Sequence, residues 1–147
     1  MSRPPVPPAA AATARLHNPQ SFLAFDYGRR HVGTASGNSL TRSARPLRTI
    51  SLEGDARFAA IGALVTEWEP TGLVVGIPFH PDGAAHANTA RARRFGRALR
   101  ERFRLPVHEV DERYTTTEAL AQGAADADAA AAVLILDQYF NDVHAAA

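Results

Sequence analysis

Hydrophobic positions along this chain switch between two periods, and the switches mark its elements. Phe22-Leu23-Ala24-Phe25 is an unbroken apolar run, short enough for a fully buried strand, and it stops at Asp26. Tyr27-Gly28-Arg29-Arg30 reads as a turn. Residues 31–36 alternate as a second strand, with Gly33 and Gly37 allowing a bulge or a close approach. Residues 43–50, "SARPLRTI", predict a third strand, and Pro46 marks it as an edge because proline cannot donate to a ladder. From Asp55 the period lengthens: Phe58, Ile61, Leu64, Val65 and Trp68 recur at helical spacing until Pro70 and Gly72 end the helix. "GLVVGIP" (72–78) is another buried strand and "HPDG" (80–83) a turn. A helix over about 87–103, a strand at 107–111 and helical sequence over 115–122 and 127–142 complete the chain.

Three strands joined by short connections should run antiparallel. The last two each follow a helix, which predicts parallel crossover units. The expected fold is therefore α/β, a mixed five-stranded sheet flanked by helices on both faces.

Composition narrows the class. With 147 residues the chain supports one domain, expected over 21–147. Residues 1–20 are rich in proline and alanine and read as a disordered tail, without the apolar core of a signal peptide. There is no cysteine, so disulfides and thiolate metal sites are excluded. No apolar run is long enough to span a membrane, and a cytoplasmic protein is the expectation. The net charge of +1 favours no partner by itself.

Candidate chemistry begins with Asp26. A carboxylate ending a buried strand needs a partner, because burying it alone costs several kcal/mol. Asp111-Glu112 ends the last strand, and ligands of open α/β sheets bind outside the carboxyl ends of strands. If the first and last strands are parallel, Asp26 and Glu112 face one crevice. At 100° per residue, Asp128 shares an apolar helix face with Ala132, Ile135 and Tyr139, whereas Asp137 should be solvated. Three converging carboxylates suit Mg²⁺ or Mn²⁺, which prefer oxygen ligands. Each acid also has a plainer role: Asp26 can begin a turn, Glu112 can pair with Arg113, and Asp126 can cap the last helix with Asp128 helped by the helix dipole.

Positive charge is concentrated on one predicted helix, "TARARRFGRALRERFR" (89–104). Phe95, Leu99 and Phe103 form its apolar stripe. Arg93, Arg97, Arg100 and Arg104 occupy one narrow sector opposite, with only Glu101 nearby to offset them. Phosphate binding is one reading and a solvated face the other. Arg29, Arg30, Arg42 and Arg45 add positive charge near the first hairpins. The histidines lack metalloprotease spacing, and His80 lies in a loop expected to border the crevice.

The ordered segments "LAFDYGRRHVGTASG", "ARPL", "VVGIPFHPDG", "NTARARRF", "VHEVDERYTTTEA" and "DAAAAVLILDQYF" resemble the YqgF/RuvX family of ribonuclease H-like nucleases. The resemblance covers nearly everything from 22 to 140. It implies a ribonuclease H-like fold and a metal-dependent phosphodiester hydrolase using Mg²⁺ or Mn²⁺. Its members are associated with processing the 5′ end of pre-16S ribosomal RNA in ribosome biogenesis, and with Holliday junctions. The family's acidic triad maps onto Asp26, Glu112 and Asp128, as catalytic residues and metal ligands. The expected nucleic-acid contacts are Arg29, Arg30, Arg91, Arg93, Arg97, Arg100, Arg104 and Arg113, on structured RNA or a DNA junction, in a monomer or homodimer. Two departures stand out: "LAQGAADADA" is short and acidic where the family carries a longer, often basic segment, and His80 replaces a frequent asparagine. A nonenzymatic RNA-binding assembly factor is the alternative that would keep the arginines without the metal. A sugar-kinase or actin-like phosphotransferase would need a second phosphate loop that this chain lacks.

Overall fold

The computed structural model describes residues 20–112 and 126–146. The strands are β1 (Ser21–Asp26), β2 (Gly33–Asn38), β3 (Ala44–Pro46), β4 (Gly72–Ile77) and β5 (Val107–Asp111). The helices are α1 (Gly54–Trp68), α2 (Thr89–Phe103) and α3 (Ala127–Ala146). The sheet order is β3-β2-β1-β4-β5. β1 pairs antiparallel with β2 and parallel with β4, and β4 pairs parallel with β5. This is the mixed five-stranded sheet the periodicity predicts. The expected tail (1–20), Arg113 and the helix over 115–122 lie outside the described residues, except for Gln20.

Alternation along β1 decides what lies on each face. Leu23 and Phe25 point into a core built with Ile61 and Leu64 of α1 and Phe95 and Leu99 of α2. Phe22 and Ala24 point the other way, into a second core with Ala132, Ile135, Leu136 and Phe140 of α3. Helices therefore cover both faces, as expected. Asp26 follows the parity of Phe22 and Ala24 and belongs to the α3 side.

The structure departs from the expectation at β2, β3 and Asp137. β2 starts at Gly33 rather than at residue 31, and β3 is only three residues long. Beyond Pro46, pairing shrinks to one bridge, Val32 to Ile50, because proline breaks the ladder at the edge. α1 buries Arg57 beside Ile61 and Leu64, on the inward face of the helix. Asp137 is only half exposed, and its burial raises its pKa, so it is not the fully solvated residue expected opposite Asp128.

Candidate active site at the carboxyl ends of β1 and β5

Two glycines shape the α3 side of the sheet where the acids meet. Asp26 stands opposite Gly33 in the β1–β2 register. A Cβ on Gly33 would lie 1.8 Å from the backbone oxygen of Asp128. Only a residue without a side chain lets the first turn of α3 rest directly on β2, beside Asp26. The turn is fixed from its other end too. Asp126 Oδ1 accepts the Ala129 N–H at 3.1 Å, which is an N-cap, and the Asp126 carboxylate accepts the Thr49 hydroxyl at 2.6 and 2.8 Å. Those bonds, the one from Thr49 first, hold the Asp126 carboxyl below the ordinary aspartate range. The capping role considered for Asp126 is thus realised, while Asp128 lies beyond it on the half-buried face.

Gly76 does for Glu112 what Gly33 does for Asp128. A Cβ on Gly76 would come within 2.4 Å of both Glu112 Oε1 and Ile135 Cδ1. The Glu112 carboxyl therefore tucks over β4, between the end of β5 and α3, and hydrogen-bonds the Asp26 side chain. Burial, then the charge and hydrogen bond of Asp26, then the charge of Asp111, push the Glu112 pKa up to about 8. Burial is also the main cause of a raised Asp26 pKa, with the Asp128 charge adding to it and the Glu112 hydrogen bond opposing it. Glu112 is therefore the protonated partner and donates its O–H to the Asp26 carboxylate.

The structure thus brings Asp26 and Glu112 into contact and sets Asp128 close enough for its charge to act on Asp26. Among the described residues no three acids or histidines already converge on a single ion position. The donor set nevertheless fits a hard divalent cation. It is all carboxylate oxygen, partly dehydrated, and burdened with negative charge that a proton now shares. His80 takes no part in the hydrogen-bonded pair; its ring lies tilted against that of His86, centroids 5.0 Å apart.

The arginines separate into two groups that sequence reasoning did not distinguish. Arg93, Arg97 and Arg100 line a shallow groove of about 170 Å³ beside Val107 and Glu109. Arg93 contacts Glu109 at 3.5 Å and sits over the Phe79 ring at 5.4 Å, so β5 supplies an acid that offsets the stripe besides Glu101. Arg104 closes α2 in a left-handed conformation, φ 55°. Arg29 and Arg91 instead line a cavity of about 370 Å³ with Arg57, Arg94, Tyr27 and Phe58. Arg30 is exposed in the turn after β1. Arg57 and Arg94 were not singled out from the sequence. The signal for Arg57 was its place four residues before Ile61, on the inward face of α1.

Comparison with known proteins agrees with this architecture. Residues 20–142 match the family profile RuvX, described as Holliday junction resolvase. A protein of Albidiferax ferrireducens named "Putative pre-16S rRNA nuclease" is 57% identical over 142 residues, covering 95% of this chain and 91% of its own. One of the same name from a Polaromonas species is 61% identical over 124 residues, covering 84% of this chain and 90% of its own. Thermus thermophilus RuvC superposes with a TM-score of 0.55 at 14% identity, over 85% of this chain and 96% of that one. The same protein bound to a Holliday junction gives 0.54 at 16% identity, over 86% and 96%. At that identity the likeness speaks for the fold, which is ribonuclease H-like.

Proposed function

Because this chain belongs to the RuvX family, we propose that it is a divalent-metal-dependent nuclease that trims the 5′ end of pre-16S ribosomal RNA in the cytoplasm. One observation carries the chemistry: a hydrogen-bonded Asp26–Glu112 carboxyl pair at the carboxyl ends of parallel strands, with the Asp128 charge alongside. The names of the relatives from Albidiferax and Polaromonas support the choice of RNA.

Asp26, Glu112 and Asp128 would hold Mg²⁺ or Mn²⁺, which when bound polarises a phosphoryl oxygen and makes water a better nucleophile near neutral pH. The chain's own residues prepare that site. Gly33 and Gly76 leave room for the acids to meet, and Asp126 anchors the helix that carries Asp128. Glu112 holds the pair's proton on its own oxygen, and a cation held by the pair would take over that neutralising role. Arginines on either side of α2, together with Arg29, Arg30 and Arg113, hold the phosphate backbone by charge rather than by base identity.

A second reading, cleavage of a four-way DNA junction, draws on the family's description and the RuvC-like fold. Purified protein incubated with a precursor-rRNA fragment and with a four-way DNA junction, with and without Mg²⁺ or Mn²⁺, separates the two. The expected result is metal-dependent cleavage of the RNA, lost in Asp26→Asn. Cleavage of the junction alone would transfer the reading to DNA. Binding of RNA with no hydrolysis of either substrate would leave a nonenzymatic assembly factor.

A further inference from the structure

The cavity between α1 and α2 opens at the residue after Asp26. Tyr27 points away from the acids, into the α1/α2 side of the sheet, where its ring packs on Phe95 at 5.2 Å. Phe58 reaches Phe95 from α1 at 5.9 Å, so the floor is aromatic. The rim is cationic. Arg29 comes from the turn after β1, Arg57 from α1, and Arg91 and Arg94 from α2, with Glu53 the one acid among the lining residues. Asp55 does not neutralise them, because it is taken by Arg102 at 3.2 Å.

Arg57 is the telling residue. It is only 6% exposed. Its Nε donates to the Leu52 carbonyl and an Nη to the Arg29 carbonyl, each at 2.7 Å, and its guanidinium lies 5.7 Å from the Tyr27 ring centre. These partners are neutral, and among the described residues none of the four guanidinium groups of the cavity is ion-paired. A buried cation without a counter-charge is costly, and the natural complement is an anion entering from solvent. Arg57 also fixes the turn that carries Arg29, so the rim is organised in advance. At about 370 Å³ the cavity falls in the range of small-ligand pockets, roughly 300–1,000 Å³.

An anion with an aromatic body is what this combination selects, and on a nuclease the available one is a nucleotide of the substrate. We propose that the cavity holds one unpaired nucleotide of the substrate strand, its phosphate on Arg29, Arg91 and Arg94 and its base against Tyr27, with Phe58, whose ring carries the Arg102 guanidinium at 4.2 Å, at its edge. The inference rests on the nuclease reading and adds a substrate preference: a strand with a nucleotide that can leave the helix, next to the scissile phosphate. A base inside a duplex cannot reach such a floor, whereas a splayed one stacks on aromatic rings.

The test is binding in EDTA, so that cleavage is not required. The probe is a short hairpin RNA with one unpaired 2-aminopurine, compared with the same hairpin carrying an abasic site there and with the fully paired stem. The wild-type protein should quench the 2-aminopurine and bind the abasic hairpin about 5- to 150-fold more weakly, the worth of one stacked base. Arg29→Gln with Arg94→Gln, both at exposed positions, should abolish the quench and lower the log–log salt slope by about 0.7–0.9 for every phosphate no longer neutralised. An unchanged quench and slope in that variant, or equal binding of abasic and intact probes by wild type, would overturn the proposal. Adding Mg²⁺ to the same probes keeps the two readings apart. Cleavage by wild type and variant alike, with no base dependence, removes the cavity's role and spares the nuclease. A base-dependent quench without cleavage supports the cavity and removes the nuclease reading.

Discussion

Replacing Asp26 by asparagine should stabilise the metal-free protein at alkaline pH while removing its cleavage. The side chain keeps its size and loses its charge. In the wild type Glu112 retains a proton from its ordinary 4.5 up to about 8. The folded state then binds more protons than the unfolded chain across that window, so stability is fully present below it and falls as pH rises through it. The slope is at most about 1.4 kcal/mol per pH unit for one proton, and the whole window gives an upper limit of roughly 5 kcal/mol. The pair is partly open to solvent, so about 2 kcal/mol is the more realistic size. Asparagine removes the Asp26 charge and turns the hydrogen bond around, since its amide donates to an ionised Glu112. Burial and the Asp111 charge remain. The variant should therefore gain about 1–2 kcal/mol at pH 8, some 3–8 °C in Tm, and gain nothing at pH 5. Thermal unfolding by circular dichroism in EDTA across pH 5–8.5 measures this, with the cleavage assay run beside it. A variant that keeps the wild-type pH slope, or is less stable at pH 8, would refute the shared-proton account of the pair.

Gly33→Ala places a methyl against the backbone of Asp128 and should cost about 2–3 kcal/mol in a denaturant titration and at least tenfold in cleavage, since a backbone cannot yield as a side chain can. Gly76→Ala meets only side-chain atoms, Glu112 Oε1 and Cγ and Ile135 Cδ1, so it should lose less stability for a similar loss of cleavage; wild-type rates in both variants would remove the glycines from the site's geometry. Replacing Arg93, Arg97, Arg100 and Arg104 by glutamine should lower the salt slope of RNA binding by about 0.7–0.9 for each arginine that neutralises a phosphate, with Arg93 contributing least because Glu109 already faces it; an unchanged slope would make that groove ordinary surface. Asp126→Ala removes a helix cap and the hydrogen bond it accepts from the Thr49 hydroxyl and should cost about 1–2 kcal/mol by chemical denaturation, whereas a neutral result would deny that this cap fixes α3.

Local pattern was enough for a mixed five-stranded sheet with helices, because buried strands and amphipathic helices differ in period, and it drew attention to Asp26, because a carboxylate at the end of an apolar run has few uses. Pro46 likewise announced the edge strand, because its missing N–H is a property of the residue alone. Contacts between elements distant in sequence are set by the fold alone. Glycine at 33 or 76 reads locally as a bulge or a weak strand position; its purpose becomes visible only when α3 and Glu112 are laid across it. The protonation of Glu112 depends on Asp26, a residue on another strand, and on burial that no window of sequence contains. The arginines of α2 are chemically alike, and helical periodicity ranked their sectors without saying what each would face. The fold gave Arg93, Arg97 and Arg100 the acid of β5, and gave Arg91 and Arg94 an aromatic cavity with a buried Arg57 at its wall. Period belongs to the chain, but the field around a charge belongs to whatever the fold packs beside it.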